Sequence, residues 1–288
     1  MEISFYLIQL LNGIQYGLLL FLMASGLTLI FGIMGIINLA HGAFYMIGAY
    51  LCYWLTGVTG NLFTGILLAI PLSILFGYAV ERLAISYLYQ RDHLYQVLLT
   101  YALILIANEL QSILWGNDVH SVPIPELLKG SVQLTDNQAY PVYRLFISGT
   151  CIALAAVMYW VIQKTRLGMT IRAGASNREM VQALGININW LFAIVFSLGA
   201  ALAAFAGMLA APVNTVYPGI GDNILIISFV VVVIGGIGSI KGAFIGALLI
   251  GLADTFGKVL LPEMASMVVY ALMAAVLFWR PQGLFGKV

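Results

Sequence analysis

Charge is what this sequence has least of. Only 8% of its 288 residues are Asp, Glu, Lys or Arg, against roughly a quarter in an ordinary soluble domain. Hydrophobic residues make up 62%, and a globular surface cannot be built from what is left. This excludes a soluble globular protein. It also excludes disorder, which needs charge and low hydrophobicity. Twelve basic and eleven acidic residues leave a net charge of +1. No basic run or face is present to neutralise phosphates, so nucleic acid is not an expected partner. Cysteine is scarce as well. Cys52 and Cys151 lie inside apolar stretches and imply no disulfide framework. No second His, Cys or Asp stands at ligand spacing from His41, so no metal site is expected. The stretch Gly235-Gly236-Ile237-Gly238 has neither the Lys-Ser/Thr pair of a P-loop nor the preceding strand of a dinucleotide site. The N-terminus carries Glu2 where a cleavable signal peptide would be basic.

What is there is long apolar runs. Between Glu2 and Glu81 not one residue is charged, enough for three membrane spans of about 20 residues each. Unbroken blocks rather than short alternating strands point to helices, not a barrel. The expected fold is all-α and polytopic, one transmembrane domain over 1–288. Nine helical segments are placed at approximately 8–33, 40–57, 62–80, 94–116, 143–163, 190–211, 224–240, 242–259 and 263–280. The second is short and also reads as a re-entrant hairpin, which would leave eight spans. With a cytoplasmic C-terminus, Arg82, Arg91, Lys164, Arg166, Arg172, Arg178, Lys241, Arg280 and Lys287 fall inside. Only Lys129, Arg144 and Lys258 fall outside, in keeping with the positive-inside rule. The N-terminus is then external. Residues 117–142 form an external loop with room for a short hairpin, and 164–189 form a cytoplasmic loop.

A weak internal repeat links Gly35–Leu51 with Gly235–Leu249. Both hold Gly-Ala-Phe followed by Ile-Gly-Ala, which puts Gly42 and Phe44 in correspondence with Gly242 and Phe244. Both hairpins turn at the cytoplasmic face, a same-direction repeat of the sort that flanks substrate paths. Small residues four apart, Gly238, Gly242 and Gly246 and again Gly199, Ala203 and Gly207, suit close helix packing, or a hinge built on it. Asn38 and His41 sit at the cytoplasmic turn of the first hairpin. They either bond to neighbouring backbone or line the inner mouth of a pathway. Two carboxylates fall within spans. Asp254 has Lys258 one turn away for a local pair. Glu109 is a pathway candidate or an end cap of its helix. Gly219-Ile220-Gly221-Asp222 spells the glycine-aspartate motif of intramembrane proteases. Without a second catalytic carboxylate it reads as a turn.

The cytoplasmic loop is the most informative stretch. Ser176-Asn177-Arg178-Glu179 has the capping-box pattern, Ser176 at the N-cap and Glu179 at N3. Met180, Val181 and Leu184 form an apolar stripe, and Gly185 can supply a left-handed C-terminal cap. An amphipathic helix of about two turns with basic flanks follows, suited to a membrane surface or to a groove in a partner.

These residues resemble a known family. Gly35-Ile-Ile-Asn-Leu-Ala-His-Gly-Ala-Phe with Ile47-Gly-Ala-Tyr is similar to the hallmark of LivH-type permeases, membrane subunits of branched-chain amino-acid ABC importers. Gly168-Met-Thr-Ile-Arg-Ala through Ala183-Leu-Gly-Ile resembles the family's ATPase-coupling loop. Gly207-Met-Leu-Ala, Ile234-Gly-Gly-Ile-Gly-Ser through Gly242-Ala-Phe-Ile-Gly-Ala, and the terminal Arg280-Pro-Gln-Gly-Leu-Phe-Gly agree in order along the chain. The resemblance implies a type II-like importer permease in a bacterial inner membrane. It implies no catalysis and no cofactor in this chain: two cytoplasmic ABC ATPases bind ATP and Mg. Further implied partners are a second, LivM-type permease and an extracytoplasmic substrate-binding protein. Arg172, Ala173, Asn177, Ala183 and Gly185 fall in the implied coupling segment. Relatives of this kind handle leucine, isoleucine and valine, other neutral or aromatic amino acids, urea, or aromatic acids, and this subunit does not choose among them. A secondary transporter acting alone is the competing class. It would want paired ionisable residues or broken helices near the midplane.

Overall fold

The structure, a computed structural model, describes residues 3–135 and 138–286. Glu2, weighed above against a signal peptide, and Lys287, used to orient the chain, lie outside them. Helices dominate: α1 (Ile3–Met34), α2 (His41–Thr59), α3 (Leu62–Leu83), α4 (His93–Trp115), α5 (Val142–Lys164), α6 (Arg166–Ser176), α7 (Arg178–Ala183), α8 (Ile188–Ala210), α9 (Ile220–Gly235), α10 (Ile240–Leu260) and α11 (Ala265–Trp279). Seven are long and apolar enough to cross a membrane, either alone or with a flanking 3-10 turn. The 19-residue α2 and the 16-residue α9 are the remaining long elements. The chain is a multi-pass helical membrane protein.

Every long helix is apolar nearly all round, so hydropathy alone does not decide which one is central. Small residues do. Of the most apolar window of α1, 89% is buried, against 6% for α11. Antiparallel α10 lies on α1 backbone to backbone: a Cβ at Gly17 would come 2.8 Å from the Ala247 carbonyl oxygen. In lipid such close approach replaces the hydrophobic effect as the source of association. α8 packs on the other side of α1, and α2 and α3 pack on α8. Phe44 of α2 joins them, edge-on to Phe76 and Phe196 at 5.8 Å each. Phe244 meets Phe21 edge-on at 5.1 Å. α3, α4, α5 and α11 form the more exposed periphery.

Between α4 and α5, a 3-10 turn (Glu126–Leu128) precedes a two-stranded antiparallel hairpin, β1 (Ser131–Thr135) and β2 (Gln138–Pro141). Residues 164–189 are mostly helical, since α6 as well as α7 lies there. α6 was not foreseen. Its apolar positions are few, and only the cap at Thr165, whose Oγ1 accepts from the Gly168 amide at 3.1 Å, marks its start. The expected helical row from Gly238 is corrected as well. Gly238 has φ +79° and sits in the turn before α10, so the row begins at Gly242. Gly242 and Gly235 press together so closely that a Cβ on either would collide with the other's backbone.

Candidate functional site

Two helices begin inside the protein. After α1 the chain turns at Gly35 (φ +67°) and runs back along α1 in non-helical conformation before α2 starts. His41, the first residue of α2, is fully buried, and its Nε2 donates to the Met23 carbonyl at 3.0 Å. Met23 lies eleven residues before the end of α1, which at 1.5 Å per residue is roughly 16 Å deep. Of the two readings its sequence position allowed, the structure places His41 in a bond to backbone rather than at a cytoplasmic mouth. It is an interior residue. The chain also doubles back after α8 through 211–219, pinned by a bridge between Val216 and His120, and α9 starts with Gly221 against Gly42. A Cβ on Gly42 would fall 2.5 Å from the Gly221 carbonyl oxygen, so only glycine permits this contact. The N-termini of α2 and α9 thus meet near the level of the middle of α1. Their positive dipole ends converge there, an arrangement that favours negative charge.

Beside this meeting point is a polar cavity of about 760 Å³. It reaches from Gln9 and Lys258, near the start of α1 and the end of α10, to Leu19, Tyr45 and Ile227 further in. Gln9, Asn12, Gln15 and Tyr16 line it from α1, Arg144 from α5, Asn214 and Tyr217 from the segment before α9, Asn223 from α9, and Asp254 from α10. Leu19, Val213, Ile220, Ile224, Ile227 and Val259 supply apolar wall. Asp254 pairs with Lys258 at 2.6 Å, and the ammonium also lies 5.6 Å over the Tyr16 ring. Arg144 donates to Asn12 Oδ1. Among the described residues no carboxylate lies within ion-pair distance of it. The site therefore combines a cation without an acidic partner, a carboxylate, several amides and an aliphatic wall. This cavity was missed in the sequence, although Gln9, Asn12 and Gln15 recur every three residues along one face of an otherwise apolar helix. Glu109 is not part of it. That carboxylate sits on the exposed face of α4.

Asn38 is fully buried, and neither polar atom of its side chain has a hydrogen-bond partner. His41 Nδ1 and Thr28 Oγ1 are likewise buried and unpartnered. Such atoms are costly to bury.

α6 and α7 lie at the opposite end of the molecule from the cavity, where α1 finishes: the α6 backbone at Gly174 faces Ile33, and Arg178 reaches Gly35. Arg172 donates to the Ile162 carbonyl at the end of α5, so it ties α6 to α5. The Ala173 carbonyl accepts from the Asn177 amide at 2.9 Å. The capping box is corrected here: Ser176 is the last residue of α6, and Asn177 is the N-cap of α7, its Oδ1 accepting from the Met180 amide at 2.9 Å. Glu179 and Ala183 are exposed on α7. Gly185 has φ +82°, and the Ile186 amide reaches back to the Val181 carbonyl at 3.3 Å, closing the helix with a left-handed cap. Val181 is buried beneath α7, whereas Met180 and Leu184 are 58% and 73% exposed. The stripe is thus one anchor and two outward knobs. Arg178, not foreseen as a site residue, stacks on Phe192 of α8 at 5.5 Å. Its Nη2 lies 2.9 Å from where a Gly35 Cβ would be, so glycine there opens the seat that the guanidinium fills.

The profile of the family described as "Branched-chain amino acid transport system / permease component" matches residues 9–277. The chain belongs to this permease family. The high-affinity branched-chain amino acid transport system permease protein BraD of Pseudomonas aeruginosa is 33% identical, over 99% of this chain and 97% of its own length. The corresponding permease LivH of Escherichia coli K12 is 31% identical over the same shares. Among solved structures, PsaBC from Streptococcus pneumoniae in complex with Fab superposes with a TM-score of 0.49 and 10% identity, covering 93% of this chain and 88% of that one. As a family member the chain is a transport permease component rather than an enzyme.

Proposed function

We propose that this permease forms half of the translocation pathway of an ATP-driven importer for branched-chain or related neutral amino acids. The cavity is the observation that supports this best. A zwitterion with an aliphatic side chain wants a cation, an anion and apolar wall, and Arg144, Asp254 and the Ile220–Ile227 face of α9 offer all three. The converging N-termini of α2 and α9 favour the carboxylate end. On this reading the cavity faces outward and receives substrate from an extracytoplasmic binding protein. The path is completed by a second, LivM-type permease. Two ABC ATPases, which hold the ATP and Mg, dock on α6 and α7 at the cytoplasmic face. The segment carrying Arg172, Ala173, Ser176, Asn177, Glu179, Ala183 and Gly185 is the coupling element. Asn38, His41, Gly42, Phe44, Gly235, Gly242 and Phe244 pack the helices that border the path. Closure of the ATPases would displace α7, and Arg178 would carry the motion to the turn at Gly35 and so to α2.

The test is copurification of the tagged chain with its chromosomal neighbours, followed by reconstitution. Two ATPases and a second permease are expected, with ATP hydrolysis stimulated by the binding protein and leucine. Arg144→Gln should lower leucine uptake roughly tenfold, the scale of one lost charge-assisted contact, while the complex stays assembled. A homo-oligomer without ATPases, driven by an ion gradient, would establish the stand-alone transporter instead.

A further inference from the structure

A second cavity lies where α3 ends, α4 begins and α8 begins, on the same side as α7. It measures about 660 Å³ and is lined by Arg82, Ser86, Tyr87, Tyr89, Gln90, Arg91 and Asn189. Every one of these side chains can donate a hydrogen bond, and two are guanidinium groups. The nearby acid, Glu81, is fully buried, accepts from Tyr89 Oη and sits 3.6 Å from Arg82 Nε. It pairs with Arg82, whereas Arg91, next to the exposed Asp92, is in no ion pair among the described residues. The Tyr89 hydroxyl is spent on Glu81 and the Ser86 hydroxyl on the Arg82 carbonyl at 2.9 Å, so the donors left for a ligand are the guanidinium groups with Tyr87, Gln90 and Asn189. The chemistry fits a phosphate.

The depth of the site and its neighbour say which phosphate. The cavity lies at the boundary of three spans, Leu62–Leu88, His93–Trp115 and Ile188–Ala210, which is headgroup depth. An apolar groove of about 360 Å³ adjoins it between α3 and α8, lined by Pro71, Ile74, Leu75, Tyr78, Trp190 and Ile194 among others. Head pocket and groove are joined at two points. Arg82 Nε donates to Tyr78 Oη at 3.3 Å and stacks over that ring at 5.5 Å. Asn189 of the pocket and Trp190 of the groove are consecutive. Cation, donors and acyl-sized groove are continuous, and arginines at the end of a span attract anionic lipid. We propose that this is a binding site for an anionic phospholipid, its phosphodiester between Arg82 and Arg91 and one acyl chain along Trp190.

The test uses the full-length permease, purified with whatever subunits accompany it, and reads Trp190 quenching by phospholipids brominated on the acyl chain. Trp190→Phe identifies the signal. Brominated phosphatidylglycerol is expected to quench at concentrations about fivefold below phosphatidylcholine for each arginine that contributes. Arg82→Gln with Arg91→Gln should remove that preference. Arg91→Gln alone should reduce it, which keeps the test decisive if the double variant fails to fold. Equal quenching by the two lipids, or a preference undiminished in Arg91→Gln, would overturn the assignment. So would millimolar inorganic phosphate displacing phosphatidylglycerol, since the pocket would then serve a soluble ligand. Loss of the signal only when a copurified subunit is present would assign the pocket to a protein contact instead.

Discussion

Arg178 shows how one residue can join separate elements. It begins α7, stacks on α8 at Phe192 and occupies the space left by the missing side chain of Gly35. The stacking is peripheral, so replacing it should cost stability only about 1 kcal/mol. Its effect on coupling should be larger. In reconstituted complexes, Arg178→Ala is expected to keep basal ATP hydrolysis and lose most leucine transported per ATP. Unchanged stoichiometry would show that α7 acts through other contacts. Gly35→Ala closes the same seat and also forces a left-handed alanine, at about 1 kcal/mol. It should reproduce the uncoupling, with Arg178 displaced. Asn38 makes a contrasting case. Its unpartnered amide contributes nothing favourable by bonding, so Asn38→Ala should leave thermal stability unchanged or raise it by up to about 1 kcal/mol. Uptake should nevertheless fall if the amide meets substrate or water during the cycle. A variant that is both less stable and fully active would remove Asn38 from the pathway.

At the scale of elements, the long helices were legible and their depths were not. All nine expected segments correspond to helices, because an apolar run of about 20 residues has few other solutions in lipid. Hydropathy reports composition, however, and the 35–40 stretch is as apolar as the helices around it. Nothing in it announces that α2 starts beside Met23 rather than at the surface. The seventh segment was placed four residues late for a related reason. Gly219-Ile220-Gly221-Asp222 reads as a turn in the sequence, whereas all but Gly219, its N-cap, lie in the first turn of α9. The cap of α7 was misread by one residue, since Ser176 and Asn177 are both good caps and only the end of α6 decides between them. Its apolar stripe carries a prediction. Met180 and Leu184 are exposed and contribute little to folding, so Met180→Asp with Leu184→Asp should alter stability by less than about 1 kcal/mol. If the two knobs seat in a partner groove, the same change should reduce ATPase copurification about tenfold or more. Full retention of the ATPases would move the docking surface off α7. Residues 284 and 285 belong to this face: the Leu284 and Phe285 amides donate to the Ile234 and Gly235 carbonyls at 2.8 and 3.0 Å, satisfying the C-terminus of α9.

For the whole molecule, the distribution of charge and the position of the two candidate surfaces make one joint claim. The polar cavity lies where α1 begins and α10 ends. α6, α7 and the arginine pocket lie where α1 finishes. Most basic residues gather at the second end, which the positive-inside rule assigns to the cytoplasm. On that assignment the proposed function has the cavity facing outward and α6 and α7 facing inward, as an importer requires. The two native cysteines, both fully buried, permit a direct check once replaced by alanine, which avoids burying a new hydroxyl. In that background Leu127→Cys, at a site 85% exposed beside the hairpin, should react with a membrane-impermeant maleimide in intact cells. Leu184→Cys, at the tip of α7, should react only after the membrane is opened. Each variant should still support uptake, since a complex that has not assembled reports nothing about orientation. The reverse labelling pattern would place α7 outside, where no ATPase can reach it. It would dismiss the coupling role of 164–189 and the outward cavity together, while leaving membership of the permease family intact.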